Sequence, residues 1–159
     1  METGANTAHQ APSGRELNRL ATAATVHCLT GCVIGEVAGM ALGTSLAWSN
    51  LATTVAAILL AFLFGYGLTS IPLLRADVPF GAVVPIALGA DTVSIAIMEA
   101  VDNAFILLIP GAMESGLTDW LFWASIFGGF ALAFPAAFAA NRYLIRRGKG
   151  HALVHHHGH

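Results

Sequence analysis

Four long apolar stretches, separated by short polar turns, dominate the chain. The stretches are Ala21–Leu46, Leu51–Leu74, Phe80–Ile109 and Trp120–Ile145, and the turns centre on Trp48–Asn50, Arg75–Pro79 and Pro110–Asp119. Each stretch exceeds the roughly 20 residues that a helix needs to cross the hydrocarbon core of a membrane. Pro85 and Pro135 interrupt two of them. Pro85 is expected at a kink or at the helix start, and Pro135 at a kink. The pattern predicts an all-α fold, an integral membrane bundle of four transmembrane helices.

The two ends of the chain are polar and lie outside the predicted bundle. This divides the chain into a polar N-terminal tail (1–19), a four-helix transmembrane domain (20–147) and a His-rich C-terminal tail (148–159). A cleavable signal peptide is the alternative interpretation of the first apolar stretch. Signal peptides have an apolar region of about 7 to 15 residues, whereas this stretch is longer and contains Glu36. We therefore expect it to remain as the first membrane helix.

The charged residues are few and unevenly distributed. Only 10% of the chain is charged, against about a quarter in soluble domains. All lysines and arginines lie on one side of a four-helix topology: Arg15, Arg19, Arg75, Arg142, Arg146, Arg147 and Lys149. Because cytoplasmic loops are enriched in these residues, we expect a multi-pass protein of the inner (plasma) membrane with both termini in the cytoplasm. The net charge of -2, without a basic stripe, argues against nucleic acid as a partner.

The first apolar stretch carries groups that an ordinary membrane span lacks. They are His27, Cys28, Cys32 and Glu36. At about 100° per residue, the cysteines and Glu36 share one helix face, and His27 lies at its edge. The same face carries a glycine at every fourth position, and we call these residues the glycine face: Gly31, Gly35, Gly39 and Gly43. Small residues at this spacing let a second helix approach closely, so we expect this face to pack against another helix, with a homo-oligomer or a larger membrane complex as the partner assembly.

The third apolar stretch holds the other carboxylates of the predicted bundle. One side of this helix groups Asp91, Ser94, Met98, Glu99 and Asp102. Carboxylates are costly inside a membrane unless they are paired or hydrated, so the first and third helices are expected to face each other. The second and fourth helices would then form a lipid-facing shell. Counting residues from the same side places Cys32 level with Asp91, and Glu36 close to Glu99.

These buried groups have two interpretations. In the functional one they form a polar track across the membrane, with soft ligands in the inner half and carboxylates further out. Cysteine, histidine and methionine suit Cu(I) and other soft ions, whereas carboxylates suit harder cations or protons. In the structural one the carboxylates are protonated and hydrogen-bonded between helices, and the cysteines are small buried hydrophobes. Ionisable residues inside a membrane indicate function by default, which favours the track.

The cysteine spacing and the histidine tail indicate metal binding. Cys28 and Cys32 are four residues apart on a helix, a spacing that lets two thiolates share one ion but seldom aligns the Cβ vectors for a disulfide. A His-rich tract is a compositional signal for metal binding, and a solvated tail without function is its alternative. The predicted metal ligands are His27, Cys28, Cys32, Glu36, Asp91, Met98, Glu99, Asp102, His155, His156, His157 and His159.

Short strings along the chain form a pattern that goes beyond hydropathy. They are HCLTGCVIGE from His27, GADTVSI from Gly89, Met98-Glu99, Asp102-Asn103, Pro110–Met113 and Asn141-Arg142. Over roughly His27 to His151 this pattern resembles a family of small bacterial membrane proteins of unknown function, and the HC-x-x-GC-x-x-GE string is its most specific part. The resemblance implies an uncharacterised four-helix membrane domain, sometimes met in copper-related contexts, without an established reaction. The layout is also similar to that of small bacterial mercury importers, as an analogy only.

Together these patterns predict an integral membrane protein that binds or conducts a transition-metal ion, with copper as the first candidate. No phosphate loop, nucleotide motif or nucleophile elbow is present, which argues against an enzyme. Any transport is therefore expected to be passive, proton-coupled or driven by a partner. Two alternatives stay open: a membrane thiol oxidoreductase using Cys28 and Cys32, and a structural subunit of a larger membrane complex.

Overall fold

The computed structural model describes residues 13–75, 77 and 79–147, and helices make up most of them. The helices are α1 (Gly14–Ser45), α2 (Asn50–Arg75), α3 (Phe80–Leu108) and α4 (Trp120–Arg146). No strand occurs in these ranges, so the all-α prediction is confirmed. Most of the predicted N-terminal tail and the whole histidine tail lie outside the described residues.

Helix α1 is longer than its apolar stretch predicts. It begins at Gly14, about two turns before the predicted start, with Ser13 as its N-cap. The Ser13 hydroxyl accepts a hydrogen bond from the Glu16 N–H at 3.4 Å, which satisfies one of the free donors of the first turn. Leu17 is buried with Ile145 of α4 in a small apolar cluster. The helix begins before the apolar stretch because Ser13 caps its first turn and Leu17 packs against α4.

The glycine face of α1 packs on α2 of the same chain. A Cβ atom at Gly35 would collide with the backbone of Ala61, and one at Gly39 would lie 2.5 Å from the Cα of Ala57. Such a close approach is open only to glycine, and it makes α1 and α2 the most extensive helix pair in the bundle. Because α2 already occupies this face, a second copy or a larger complex would have to use another surface.

Helix α4 belongs to the core rather than to an outer shell. Its inward residues repeat every three or four positions: Phe122, Ile126, Phe130, Ala133 and Ala137. This spacing gives one apolar stripe, which packs against both α3 and α1. The prediction that α2 and α4 form a common lipid-facing shell is therefore wrong for α4. One side of α4, which also carries Ser125, Gly129 and Asn141, is buried against α1 and α3.

The α1–α2 turn (46–49) and the α3–α4 loop (109–119) lie at the same end of the bundle, which we call the loop end, because both line one cavity. In the turn, the Trp48 N–H donates to the Gly43 carbonyl at 2.9 Å. Asp119 is the N-cap residue of α4, but its carboxylate accepts from the Gly116 N–H at 2.7 Å and caps no helical N–H. Pro85 and Pro135 lie inside α3 and α4, so neither marks a helix start.

Three helices in the described part are long and apolar enough to cross a membrane: α1, the segment Asn50–Ile71 of α2, and α4. Their outward residues include strongly exposed side chains such as Leu59, Leu63 and Phe127. An exposed apolar surface of this kind suits lipid rather than water. The chain therefore has the character of a membrane protein. Helix α3 is not among these three helices. It has 29 residues and carries the acidic residues of the third apolar stretch.

Candidate functional site

An amide on α4 ties three helices together at the end of the bundle opposite the loop end. Asn141 is buried, and its Nδ2 donates to Oγ1 of Thr25 on α1 and to Oγ of Ser94 on α3, both at 3.0 Å. The Thr25 hydroxyl in turn donates to the Ala21 carbonyl at 2.7 Å. The sequence pattern predicts Ser94 on the inner side of α3, but it indicates no role for Asn141 or Thr25. The available signal was a lone amide among the alanines and phenylalanines of α4.

The next polar contact towards the loop end joins a thiol to a carboxylate. The Cys28 Sγ donates to Oδ1 of Asp91 at 3.5 Å, and both residues are fully buried. Ser94 is also within hydrogen-bonding range of this thiol, and Thr69 of α2 approaches the same carboxylate. Residue counting predicted Cys32, not Cys28, at the level of Asp91. The difference of one turn arises because the offset between two packed helices cannot be obtained by counting residues.

A second thiol–carboxylate contact follows one turn further along α1. Cys32 has no exposed surface and lies within hydrogen-bonding range of Glu99. Glu36 interacts directly with Glu99, which confirms the prediction that these two acids are close. The Asn103 side chain fixes this part of α3, because its Nδ2 donates to the Glu99 carbonyl at 2.8 Å. Cys32 and the two glutamates therefore form one continuous contact between α1 and α3.

Asp102 completes the group of acids on α3. It is fully buried, it interacts electrostatically with Glu36 and Glu99, and neither carboxylate oxygen has a hydrogen-bond partner among the described residues. Gly129 of α4 makes room for it, since a Cβ atom there would overlap the Asp102 carboxylate. Ser125 lies one turn before Gly129 and is also buried, and its Oγ has no partner in the described part. The sequence pattern indicates neither of these α4 residues.

Two further predicted ligands lie beside these thiol–carboxylate contacts. Met98 is fully buried and packs in the same cluster as Cys28 and Cys32, so three sulfur atoms share one region of the core. His27 is half-buried on α1. As the neighbour of Cys28, it projects about 100° away from that thiol around the helix. Its position at the edge of the polar face is therefore the one that the sequence predicted.

No arginine lies among these acids in the described part of the chain. Each described arginine is exposed or half-exposed near a helix end: Arg15, Arg19, Arg75, Arg142, Arg146 and Arg147. Glu36, Glu99 and Asp102, which we call the acidic cluster, consequently have no salt bridge to a basic residue in the described ranges. Buried carboxylates without such a partner need either protons or a bound cation to compensate their charge.

The acidic cluster reaches an open cavity of about 280 Å³ at the loop end. Glu36 and Asn103 line the cavity beside Met40, and Ser125 lines it from α4 next to the ring of Phe122. We call the whole series the polar track: Asn141, Thr25, Ser94, Cys28, Asp91, Cys32, Glu99, Glu36, Asp102 and the cavity. The track brings together the predicted ligands of α1 and α3, with His27 at its edge.

The predicted ligands do not converge on one compact cage. Within the described ranges, no group of three or more His, Cys, Asp and Glu side chains is arranged to hold a metal ion. They are spread along the track as thiol–carboxylate pairs followed by carboxylates alone. The predicted tail ligands, His155, His156, His157 and His159, lie outside the described residues.

In a comparison with protein families, the chain matches a family described as Domain of unknown function (DUF4396). The match covers residues 18–150, which include α2, α3, α4 and all but the first four residues of α1. No curated protein and no solved structure matches the chain.

Proposed function

Since the chain belongs to the DUF4396 family, whose function is unknown, we propose a function from its buried chemistry. The protein is a four-span membrane protein that binds a transition-metal ion, copper first, and conducts it along the polar track. It resides in the inner membrane with both termini in the cytoplasm. The loop end then faces the opposite side, and the cavity is the outer end of the track.

One observation carries this proposal: two successive thiol–carboxylate contacts lead into the acidic cluster. Cys28 meets Asp91 and Cys32 meets Glu99, so a soft sulfur and a carboxylate occur together at each step. Thiolates favour Cu(I) and similar ions, while carboxylates compensate positive charge and accept the protons that the thiols release. Paired donors along a line suit an ion that moves between weak sites better than one held permanently in a cage.

Helix α3 is the fourth span of this proposal. Its acids face the core and not the lipid, since Asp91, Glu99 and Asp102 are all buried. Ionisable side chains on a membrane helix are tolerated when they face the interior of a bundle, where they commonly mark ion or proton pathways. The inward position of these acids therefore supports both the crossing of α3 and the proposed function.

Binding is tested by titrating Cu(I) against a competing chelator on the full-length protein in detergent. The C-terminal histidines are replaced by alanine so that the His-rich tail cannot bind: His151, His155, His156, His157 and His159. We expect about one Cu(I) per chain, as two thiolates on one helix would hold it. Cys28→Ser and Cys32→Ser should each weaken binding about tenfold or more. The double variant should be little worse, because the two ligands act as a unit.

The matched control for the thiol variants is Thr30→Ala, an exposed change on the same helix. It should bind Cu(I) as the parent protein does. If the double serine variant keeps the parent affinity, the thiols are not the site and the proposal fails.

Conduction is tested by Cu(I) uptake into vesicles that contain the purified protein. Glu36→Gln should spare binding at the thiols but slow uptake about tenfold or more, because it removes the charge that links the thiol pairs to the cavity. Glu16→Gln, an exposed change in the first turn of α1, is the control. Equal Cu(I) uptake by the two variants would show that the charge of Glu36 is not needed for conduction.

The two alternatives make different predictions. A thiol oxidoreductase needs thiols that a reaction partner can reach, whereas Cys28 and Cys32 are 1% and 0% exposed, respectively. The oxidoreductase alternative predicts that Cys28 and Cys32 can be oxidised and reduced as a pair, and that the protein binds no metal in proportion to them. A structural subunit would tolerate neutral replacements throughout the acidic cluster without loss of function.

A further inference from the structure

The cavity at the loop end has the features of a built cation site that differs from the thiol pairs. It has a volume of about 280 Å³ and is lined by α1, α2, α3, α4 and the two connections of the loop end. Its lining residues with oxygen donors include Glu36 of α1, Asn103 of α3 and Ser125 of α4, besides hydroxyls such as Thr53 of α2. Apolar side chains, among them Phe122, complete the lining.

Two buried atoms in this lining have no partner in the described part of the chain. They are Oε1 of Glu36, a residue that is 8% exposed, and Oγ of Ser125, a residue that is 2% exposed. Buried polar groups in native proteins are normally hydrogen-bonded, to protein or to ordered water, so an unpartnered pair lining one cavity indicates a missing ligand. The Nδ2 of Asn103 is committed to the Glu99 carbonyl, which leaves its amide oxygen available as a third donor.

The charge and the size of the cavity define the ligand class. Glu36, one member of the acidic cluster, and Glu114 line the cavity, and no described arginine does, so the ligand is a cation. The volume exceeds that of a bare ion and accommodates several waters besides it. Carboxylate, amide and hydroxyl oxygens combined with retained water are the coordination that hard divalent cations adopt in proteins, often with only one or two carboxylates. This donor set differs from the soft sulfur of Cys28 and Cys32.

We propose that the cavity binds one aquated divalent cation through Glu36, with Ser125 and Asn103 as neutral oxygen donors. Its role as the outer end of a conducting path rests on the proposed function, whereas the binding itself rests only on the cavity. The ligand chemistry would then change along the polar track, from hard oxygen donors at the loop end to sulfur deeper in the core.

The test uses Mn²⁺, a hard divalent cation whose free aquated form is measured by electron paramagnetic resonance. Full-length protein in detergent is titrated, and the tail is identical in every variant, so that differences between variants report on the cavity. We expect Glu36→Gln to weaken one Mn²⁺ site per chain about tenfold or more and Ser125→Ala to weaken it severalfold. Electron–nuclear double resonance on the bound ion should show protons of coordinated water.

The controls separate this proposal from the proposed function. Glu16→Gln, exposed at the far end of α1, should bind Mn²⁺ as the parent does. The Cys28→Ser, Cys32→Ser double variant should also keep the Mn²⁺ site, whether or not it loses Cu(I). Glu36→Gln is isosteric, and Ser125→Ala removes only one atom, so both variants are expected to fold. Either variant alone, if it folds, is sufficient for the Mn²⁺ titration.

The proposal is overturned if Glu36→Gln and Ser125→Ala both retain parent Mn²⁺ affinity, or if the cysteine variant loses the site. A different result would overturn only the proposed function: the cysteine variants leave Cu(I) affinity unchanged, while Glu36→Gln and Ser125→Ala still weaken Mn²⁺ binding. The cavity site would then stand without it.

Discussion

Single residues decide where the buried acids can lie. Asp102 fits only because the facing position on α4 is Gly129, where any side chain would overlap its carboxylate. Asn141 likewise fixes Thr25 and Ser94 through two hydrogen bonds at 3.0 Å. Small and polar residues of α4 therefore position groups that belong to α1 and α3, although α4 contributes no acid to the track.

Gly129→Ala tests this fit. The new Cβ would overlap the Asp102 carboxylate and lie 3.1 Å from the Asp102 Cα, where the backbone cannot easily yield. We expect a loss of about 1–3 kcal/mol in the free energy of unfolding, the usual cost of overpacking. The measurement is the thermal unfolding midpoint in detergent.

The matched control is Gly67→Ala on α2, where a Cβ would meet nothing within 4 Å. Both changes gain up to about 1 kcal/mol of helix propensity, so the difference between them isolates the overlap. Equal midpoints would mean that Asp102 moves away without cost.

At the level of elements, α1 is the central helix because two of its faces are buried. The glycine face lies against α2, while Cys28, Cys32 and Glu36 face the acids of α3. The backbone contact with α2 fixes the height and rotation of α1, and these in turn set the distances to α3. Stability and the polar track therefore depend on the same helix.

Gly35→Leu and Gly39→Leu test the contact between α1 and α2. Each side chain would collide with α2 at Ala61 or Ala57, so we expect each variant to lose about 3 kcal/mol or fail to fold. The control Ala41→Leu adds the same bulk at an exposed position of α1 and should change the unfolding midpoint little. Three equal midpoints in detergent would show that the glycine face is not an interface.

For the whole molecule, the distribution of charge defines two different ends. The lysines and arginines, taken in a four-span topology, all fall on the side of the two termini and the α2–α3 turn. The loop end carries the acidic residues Glu114 and Asp119 and the opening of the cavity. This asymmetry favours a cytoplasmic location for the termini.

Reporter fusions test this orientation. Fusions at Asn6 and His159 should report a cytoplasmic location, and a fusion at Ser115 in the α3–α4 loop should report a periplasmic one. A cytoplasmic Ser115 would reverse the orientation. Opposite locations for Asn6 and His159 would instead require an odd number of spans and would remove α3 from the membrane.

The sequence alone determined the number, type and approximate limits of the helices, because hydropathy and helical period are local properties of the chain. It also determined which side chains share a face of α1 and of α3, since about 100° per residue fixes their rotation. Counting residues from one side correctly placed Glu36 near Glu99, but it placed Cys32 instead of Cys28 beside Asp91. The DUF4396 match is consistent with the predicted uncharacterised family.

Only the tertiary structure decided which faces meet and at what height. The pairing of Asp91 with Cys28 depends on the offset between α1 and α3, and the use of the glycine face depends on its contact with α2. The contributions of Gly129, Ser125 and Asn141 are invisible in a pattern of charges, because a small or neutral residue acquires its role from what packs against it. Offset and packing partners are relations between distant segments, and no local pattern encodes them.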